Sequence, residues 1–171
     1  MLARFSEAFL ILRAHQVGIP LALTPLIMVA MNVVYAGAAY PFGRLSDRMS
    51  HTKLLVLGMV VLIGADLVLA MHDHWGVMLF GICLWGLHMG ITQGLLATMV
   101  ADTAPADLRG TAYGLFNLAS GLAMLVASVL AGLLWDGLGA SVTFYAGAIF
   151  SGLAIFGVVL RSAAIRTVNS P

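Results

Sequence analysis

The sequence predicts an all-α membrane protein: a helical bundle of five full transmembrane helices preceded by a partial one. Three observations carry that prediction. Of the 171 residues, 61% are hydrophobic and 9% charged, and mean hydropathy is +1.04. A soluble domain of this length carries about a quarter charged residues, and no packed core of this size hides so much apolar surface, so the expected solvent is lipid. The apolar residues also gather into five runs close to spanning length. Those runs lack the polar alternation of barrel strands, and a helix satisfies its own backbone in hydrocarbon.

Other classes fall away. A net charge of +1 gives no reason to expect nucleic acid. The one cysteine, Cys83, excludes an internal disulfide framework or a cysteine metal cluster, and it reads as a small buried hydrophobe. No long polar segment leaves room for a soluble domain.

The first element is Met1 to Ala14. Phe5, Ala8, Phe9, Leu10, Ile11 and Leu12 are apolar, but the run is too short to span. Arg4 and Glu7 in its first half, with no small-residue cleavage pattern, argue against a signal peptide. It reads as the outer half of a helix whose beginning is missing, or as an interfacial helix.

The full spans follow as Leu21 to Pro41, Leu54 to Met71, Gly76 to Val100, Gly110 to Leu134 and Val142 to Leu160. Alternate connections, 43–53, 101–109 and the tail from Arg161, hold Arg44, Arg48, Lys53, Arg109, Arg161 and Arg166. The opposite connections, 72–75 and 135–141, hold no Lys or Arg. The positive-inside rule therefore places the first set, and the C-terminus, in the cytoplasm. Val17 to Pro20 lies outside, and Trp75 and Trp135 fall at the outer interface.

The connection after the first full span is a charged island, Gly43-Arg44-Leu45-Ser46-Asp47-Arg48. A tight loop is expected there, with Gly43 supplying positive φ. Asp47 suits the N–H groups of a neighbouring helix N-terminus. Arg44, Arg48 and Lys53 suit anionic headgroups and would anchor topology.

This order, entered from Tyr40-Pro41-Phe42, resembles the signature of the major facilitator superfamily: Gly, any residue, Leu, small, Asp, Arg, any, Gly, Arg, then a base. Gly43, Leu45, Ser46, Asp47 and Arg48 match. Ser50, His51 and Thr52 stand where glycine, arginine and a base are usual, which is more like the weaker copy after helix eight. Ala101-Asp102-Thr103-Ala104-Pro105 and Leu108-Arg109-Gly110-Thr111-Ala112-Tyr113-Gly114 resemble the family's link between helices ten and eleven. Arg4-Phe5-Ser6-Glu7-Ala8-Phe9-Leu10 to Arg13 resembles the outer part of helix seven.

The resemblance implies a C-terminal half, helix seven in part to helix twelve, of a transporter in which two bundles rock about a central site. It implies a conformational latch of Gly43, Arg44, Asp47, Arg48, His51, Asp102 and Arg109. Asp47 would face a helix of the absent N-terminal six-helix half. His51 would meet Asp102, a contact sensitive to pH in a way that an arginine is not.

Polar groups inside spans are costly and suggest function. Asn32 and Tyr35 share a face of the first full span, as do Asn117 and Ser120 on the fourth. His88, with Thr92 and Gln93 beside it, lies midway along the third. Asn32, Tyr35, His88, Gln93 and Asn117 are the candidate substrate or proton pathway, with interhelical hydrogen bonds as the alternative use. Asp66 is expected near the outer interface, reaching water or a helix partner. Glu7 and Arg13 are too far apart along the helix for an easy direct pair. Gly86, Gly90 and Gly94, Gly110 and Gly114, and Gly147 with Ser151 have the four-residue spacing of close helix packing.

No nucleotide-binding loop follows Gly81 to Gly86, and no triad or zinc spacing is present. His72 and His74 flank Asp73, which reads as a hydrated turn. No enzyme activity, cofactor or metal is expected. The expected function is transport of a small solute across the cytoplasmic membrane, with or without a coupling proton. The chain would act there as one half of a secondary transporter or facilitator, with membrane lipid around it. The alternatives are a truncated membrane protein serving as a helix-pairing or assembly module, and a homodimer that rebuilds a transporter.

Overall fold

The computed structural model describes residues 4–71 and 74–168, with side chains through residue 162. His72 and Asp73 lie outside the described residues, as does the side chain of Arg166. The helices are α1 (Ala8–Gln16), α2 (Thr24–Ser46), α3 (His51–Met71), α4 (Trp75–Thr103), α5 (Arg109–Leu138) and α6 (Ala140–Val168), with a 3₁₀ turn at Leu21–Leu23 before α2. Five segments are long and apolar enough to cross a membrane: Leu21–Ser46, His51–Met71, Trp75–Thr103, Arg109–Leu138 and Ala140–Ser162.

Most helices outrun the expected spans. α5 has 30 residues, about 45 Å at 1.5 Å per residue. The hydrocarbon core is about 30 Å thick, so a turn or more lies in the headgroup region or the helix tilts. α2 continues through Pro41 to Ser46. Proline is tolerated within membrane helices when neighbours re-satisfy the freed carbonyl, and here it stands close to the helix end. The charged island is therefore not a loop. Gly43 to Ser46 form the last turn of α2, and Ser46 Oγ donates to the Gly43 carbonyl at 2.7 Å. Gly43 is helical; among the described residues only Gly18 and Gly139 have positive φ.

Gly139 is the whole connection between α5 and α6. Its φ of +90° lets the chain reverse at one residue, while its N–H donates to the Trp135 carbonyl at 3.0 Å. The expected outer loop 135–141 thus shrinks to a single glycine. Trp135 lies in the last turn of α5, half-buried, with its ring 5.6 Å from Phe9 and 6.2 Å from Phe144. It is a packing residue rather than a free interface anchor. Trp75, at the start of α4, is 58% exposed as an interface indole should be.

α4 is the central helix. Within its most apolar window 56% is buried, against 11% for α5. It packs along α2 and α3, while α3 also packs along α6. Small residues make the α2–α4 approach possible. A Cβ on Gly86 would collide with the Met31 carbonyl, and one on Gly90 would lie 2.6 Å from Ala38 Cβ. Gly94, Gly110 and Gly114 face open space, so spacing predicted close packing at those three where there is none.

One face of residues 4–16 packs into the bundle, while Ala8, Leu12, His15 and Gln16 stay exposed. Leu10 and Ala14 are wholly buried. The Phe5 ring packs at a tilt against Trp85 at 5.4 Å and Phe144 at 5.6 Å, joining the segment to α4 and α6. The Ser6 N–H donates to Ser128 Oγ of α5 at 3.1 Å. Arg13 is buried and its Nε donates to the Leu69 carbonyl of α3 at 3.0 Å. His74 caps α4, with Nδ1 accepting from the Gly76 N–H at 3.2 Å.

Candidate functional site

The cavity with the most chemistry lies between α3, α4 and α5 and measures about 490 Å³. That is within the usual range of about 300–1,000 Å³ for small-ligand pockets. Its apolar walls are Leu55, Met59 and Leu62 of α3, Leu96 of α4, and Phe116 and Met124 of α5. Its polar groups are Arg4, His88, Thr92, Gln93, Tyr113, Asn117 and Ser120.

Helical spacing builds the polar face. His88 and Thr92 are one turn apart, and Thr92 Oγ1 donates back to the His88 carbonyl at 2.9 Å. His88 Nδ1 lies 2.7 Å from the Gly58 carbonyl of α3. A carbonyl oxygen only accepts, so Nδ1 carries the hydrogen and Nε2 is the free ring nitrogen. Gly58 has no Cβ to spare; one added there would strike Thr92. On α5, Asn117 and Ser120 line the same wall, and the Tyr113 hydroxyl donates across to the Ala97 carbonyl at 2.8 Å.

Of the expected pathway residues, His88, Gln93 and Asn117 line this cavity. Tyr35 reaches it through a hydrogen bond from its hydroxyl to Gln93 Oε1 at 3.2 Å. Asn32 does not join them. It is exposed, and its Nδ2 donates to the Met28 carbonyl of its own helix at 2.8 Å. Sharing a helix face with Tyr35 was not enough, because the longer tyrosine crosses to α4 while the short amide folds back.

Two polar residues were missed from the cavity lining. Arg4 is one of them, and the cost of a charge at membrane depth was the signal that could have found it. Tyr113 is the other; it was noted only as part of a resemblance. Asp66 departs from expectation in the opposite direction. It is 0% exposed, and neither carboxylate oxygen has a hydrogen-bond partner among the described residues. It is closed off from the surface of the bundle, and it packs where a Cβ on Gly147 of α6 would lie 2.8 Å from Oδ2.

The latch candidates gather at one end of the bundle, the end formed by the C-termini of α2 and α4 and the N-termini of α3 and α5. Arg44 lies over the Tyr40 ring at 5.7 Å. Asp47 and Arg48 are exposed just past α2, His51 opens α3, Asp102 is exposed near the end of α4, and Arg109 opens α5. No hydrogen bond or ion pair among the described residues joins His51 to Asp102. No group of three His, Cys, Asp or Glu suited to a metal ion occurs among the described residues.

A family model described as Major Facilitator Superfamily matches residues 3–170. An uncharacterized MFS-type transporter of Methanocaldococcus jannaschii is 33% identical over 90% of this chain and 41% of its own length. A D-xylose transporter of Levilactobacillus brevis is 31% identical over 54% of the chain and 20% of its own length. A lysosomal dipeptide transporter of Bos taurus is 31% identical over 61% of the chain and 22% of its own length. The chain thus spans well under half the length of each of these relatives.

Proposed function

This chain belongs to the major facilitator superfamily, and from that premise we propose that it forms one half of a small-solute transporter working by alternating access. The observation that carries the reading is the cavity between α3, α4 and α5. Its polar groups, among them His88, Thr92 and Gln93 of α4 and Asn117 and Ser120 of α5, converge on one cavity of a largely apolar bundle, where polar groups are retained for a use. Gln93 and His88 are positioned by hydrogen bonds from α2 and to α3, so the helices that frame the cavity also set its polar face.

A second six-helix bundle would supply the facing wall. Support comes from α5, in which only Ala127 and Ala131 are buried. Its Asn117 is exposed at the cavity, which leaves a polar group at the membrane level without a protein neighbour over it. In the same reading, the exposed Asp47 and Arg48 meet that second bundle and hold one end state.

Proteoliposomes test it. The chain is reconstituted alone and with a six-helix N-terminal half, and uptake of sugars, dipeptides and organic acids is measured. Flux requiring both halves, and reduced by His88→Ala and Asn117→Leu, is the expected result. Flux that ignores both substitutions would place the solute path elsewhere. No flux with either preparation would favour a helix-pairing or assembly module.

A further inference from the structure

We propose that the cavity takes an anionic solute, one bearing a carboxylate or phosphate, and that the Arg4 guanidinium is the group that recognises it. The inference takes the cavity as the solute site, as above, and names the class of solute.

Arg4 is positioned by its neighbour. Phe5 is 4% exposed and wedged among Phe9, Trp85 and Phe144, so the backbone carrying Arg4 is pinned at the cavity wall. The guanidinium lines the cavity, and its Nε is buried with no hydrogen-bond partner among the described residues. That is an expensive state for a permanent cation, which in a membrane bundle normally pairs with a carboxylate or backbone carbonyls. Arg13, on the same segment, shows the ordinary solution: its Nε is satisfied by the Leu69 carbonyl.

No group around Arg4 bonds to it directly among the described residues. Glu7, Tyr35 and His88 are within electrostatic reach. None of them makes a hydrogen bond or ion pair with Arg4 among the described residues. No Asp or Glu is among the lining residues. The other polar groups are rich in donors. Gln93 Oε1 is occupied by the Tyr35 hydroxyl, which leaves its amide N–H groups uncommitted. Asn117 and Ser120 add an amide and a hydroxyl on the opposite wall. A cavity-lining guanidinium whose Nε is buried without a hydrogen-bond partner among the described residues, in a cavity that also carries amide and hydroxyl donors, fits the planar oxygens of a carboxylate or the oxygens of a phosphate. A neutral sugar would leave the charge unmet.

Equilibrium binding tests this on the full chain in nanodiscs of phosphatidylcholine. The probes are radiolabelled succinate, lactate and inorganic phosphate, with succinamide and D-glucose as neutral controls. Saturable binding of at least one anion is expected, weakened about tenfold or more by Arg4→Gln and partly kept by Arg4→Lys, with no binding of succinamide. An anion that binds Arg4→Gln as tightly as the unaltered chain overturns the proposal, and so does the absence of anion binding. Phosphatidylglycerol added to the nanodiscs separates the two sources of anion. If it blocks the solute probes, Arg4 serves a lipid headgroup and the solute class is wrong. If D-glucose binds and Asn117→Leu removes it, the cavity remains a solute site and only the anion inference fails. If no probe binds, the anion inference falls, and the flux assay with both halves decides the transporter reading by itself.

Discussion

At the scale of single residues, space rather than spacing decides what a glycine does here. Gly86, Gly90 and Gly94 form one sequence pattern, yet they meet different surroundings. A Cβ on Gly90 would lie 2.6 Å from Ala38 Cβ and 3.1 Å from the Tyr35 carbonyl, whereas Gly94 meets nothing within 4 Å. Gly90→Leu should therefore lower stability by about 1–3 kcal/mol through overpacking of α2 on α4. Gly94→Leu should cost nothing and gain up to about 1 kcal/mol from helix propensity. Thermal unfolding of the two variants in one detergent checks this, and equal losses would mean that the α2–α4 contact is not as close as described. Because Tyr35 sits at the same contact, Gly90→Leu should also disturb the Tyr35–Gln93 hydrogen bond and with it the polar face of the cavity.

At the scale of elements, the end of α2 is where sequence and structure part most clearly. A glycine ahead of charged residues suggested a loop with positive φ, but Gly43 is helical and open space surrounds the position of a Cβ. Alanine has the better helix propensity, so Gly43→Ala should stabilise the isolated chain by about 0.5–1 kcal/mol. Gly139→Ala should destabilise it by more than that, because φ is +90° there. Chemical denaturation of both variants checks the opposite signs. If Gly43→Ala also lowers uptake by the paired halves while raising stability, the glycine serves close approach of the second bundle. The existence of the five spans was legible because hydropathy reports directly on lipid exposure. Their ends were not, because helix turns in the headgroup region carry the charged residues that mark loops in soluble proteins. The cavity was legible in part. His88, Gln93 and Asn117 stand out as polar groups in apolar runs. Arg4 and Asp66 were misjudged because depth depends on how the short N-terminal segment inserts between helices, and local sequence carries no record of that.

At the scale of the whole molecule, the distribution of basic residues makes one global prediction. Arg44, Arg48, Lys53 and Arg109 lie at the end formed by the C-termini of α2 and α4. At the opposite end, the connection of residues 17–23 and the single-residue turn at Gly139 contain no Lys or Arg. Arg13 is nearest that end in sequence, but it is buried against α3, with Nε on the Leu69 carbonyl. Positive residues near span ends are retained on the cytoplasmic side, and anionic lipid on that leaflet adds about 1 kcal/mol of attraction for each base near the surface. Four bases against none therefore predict that the α2–α3 corner lies in the cytoplasm. In a Cys83→Ser background, Ser50→Cys and Asp107→Cys should react with a membrane-impermeant maleimide only after the cells are permeabilised. Asp136→Cys, exposed at the opposite end, should react in intact cells. The reverse pattern would put the Asp47–Arg48 corner outside the cell, and a latch working from the cytoplasmic face would then be impossible. The expected pattern places the α2–α3 corner, the α4–α5 link and any second bundle's matching surface on the same side of the membrane, as a latch between rocking halves requires.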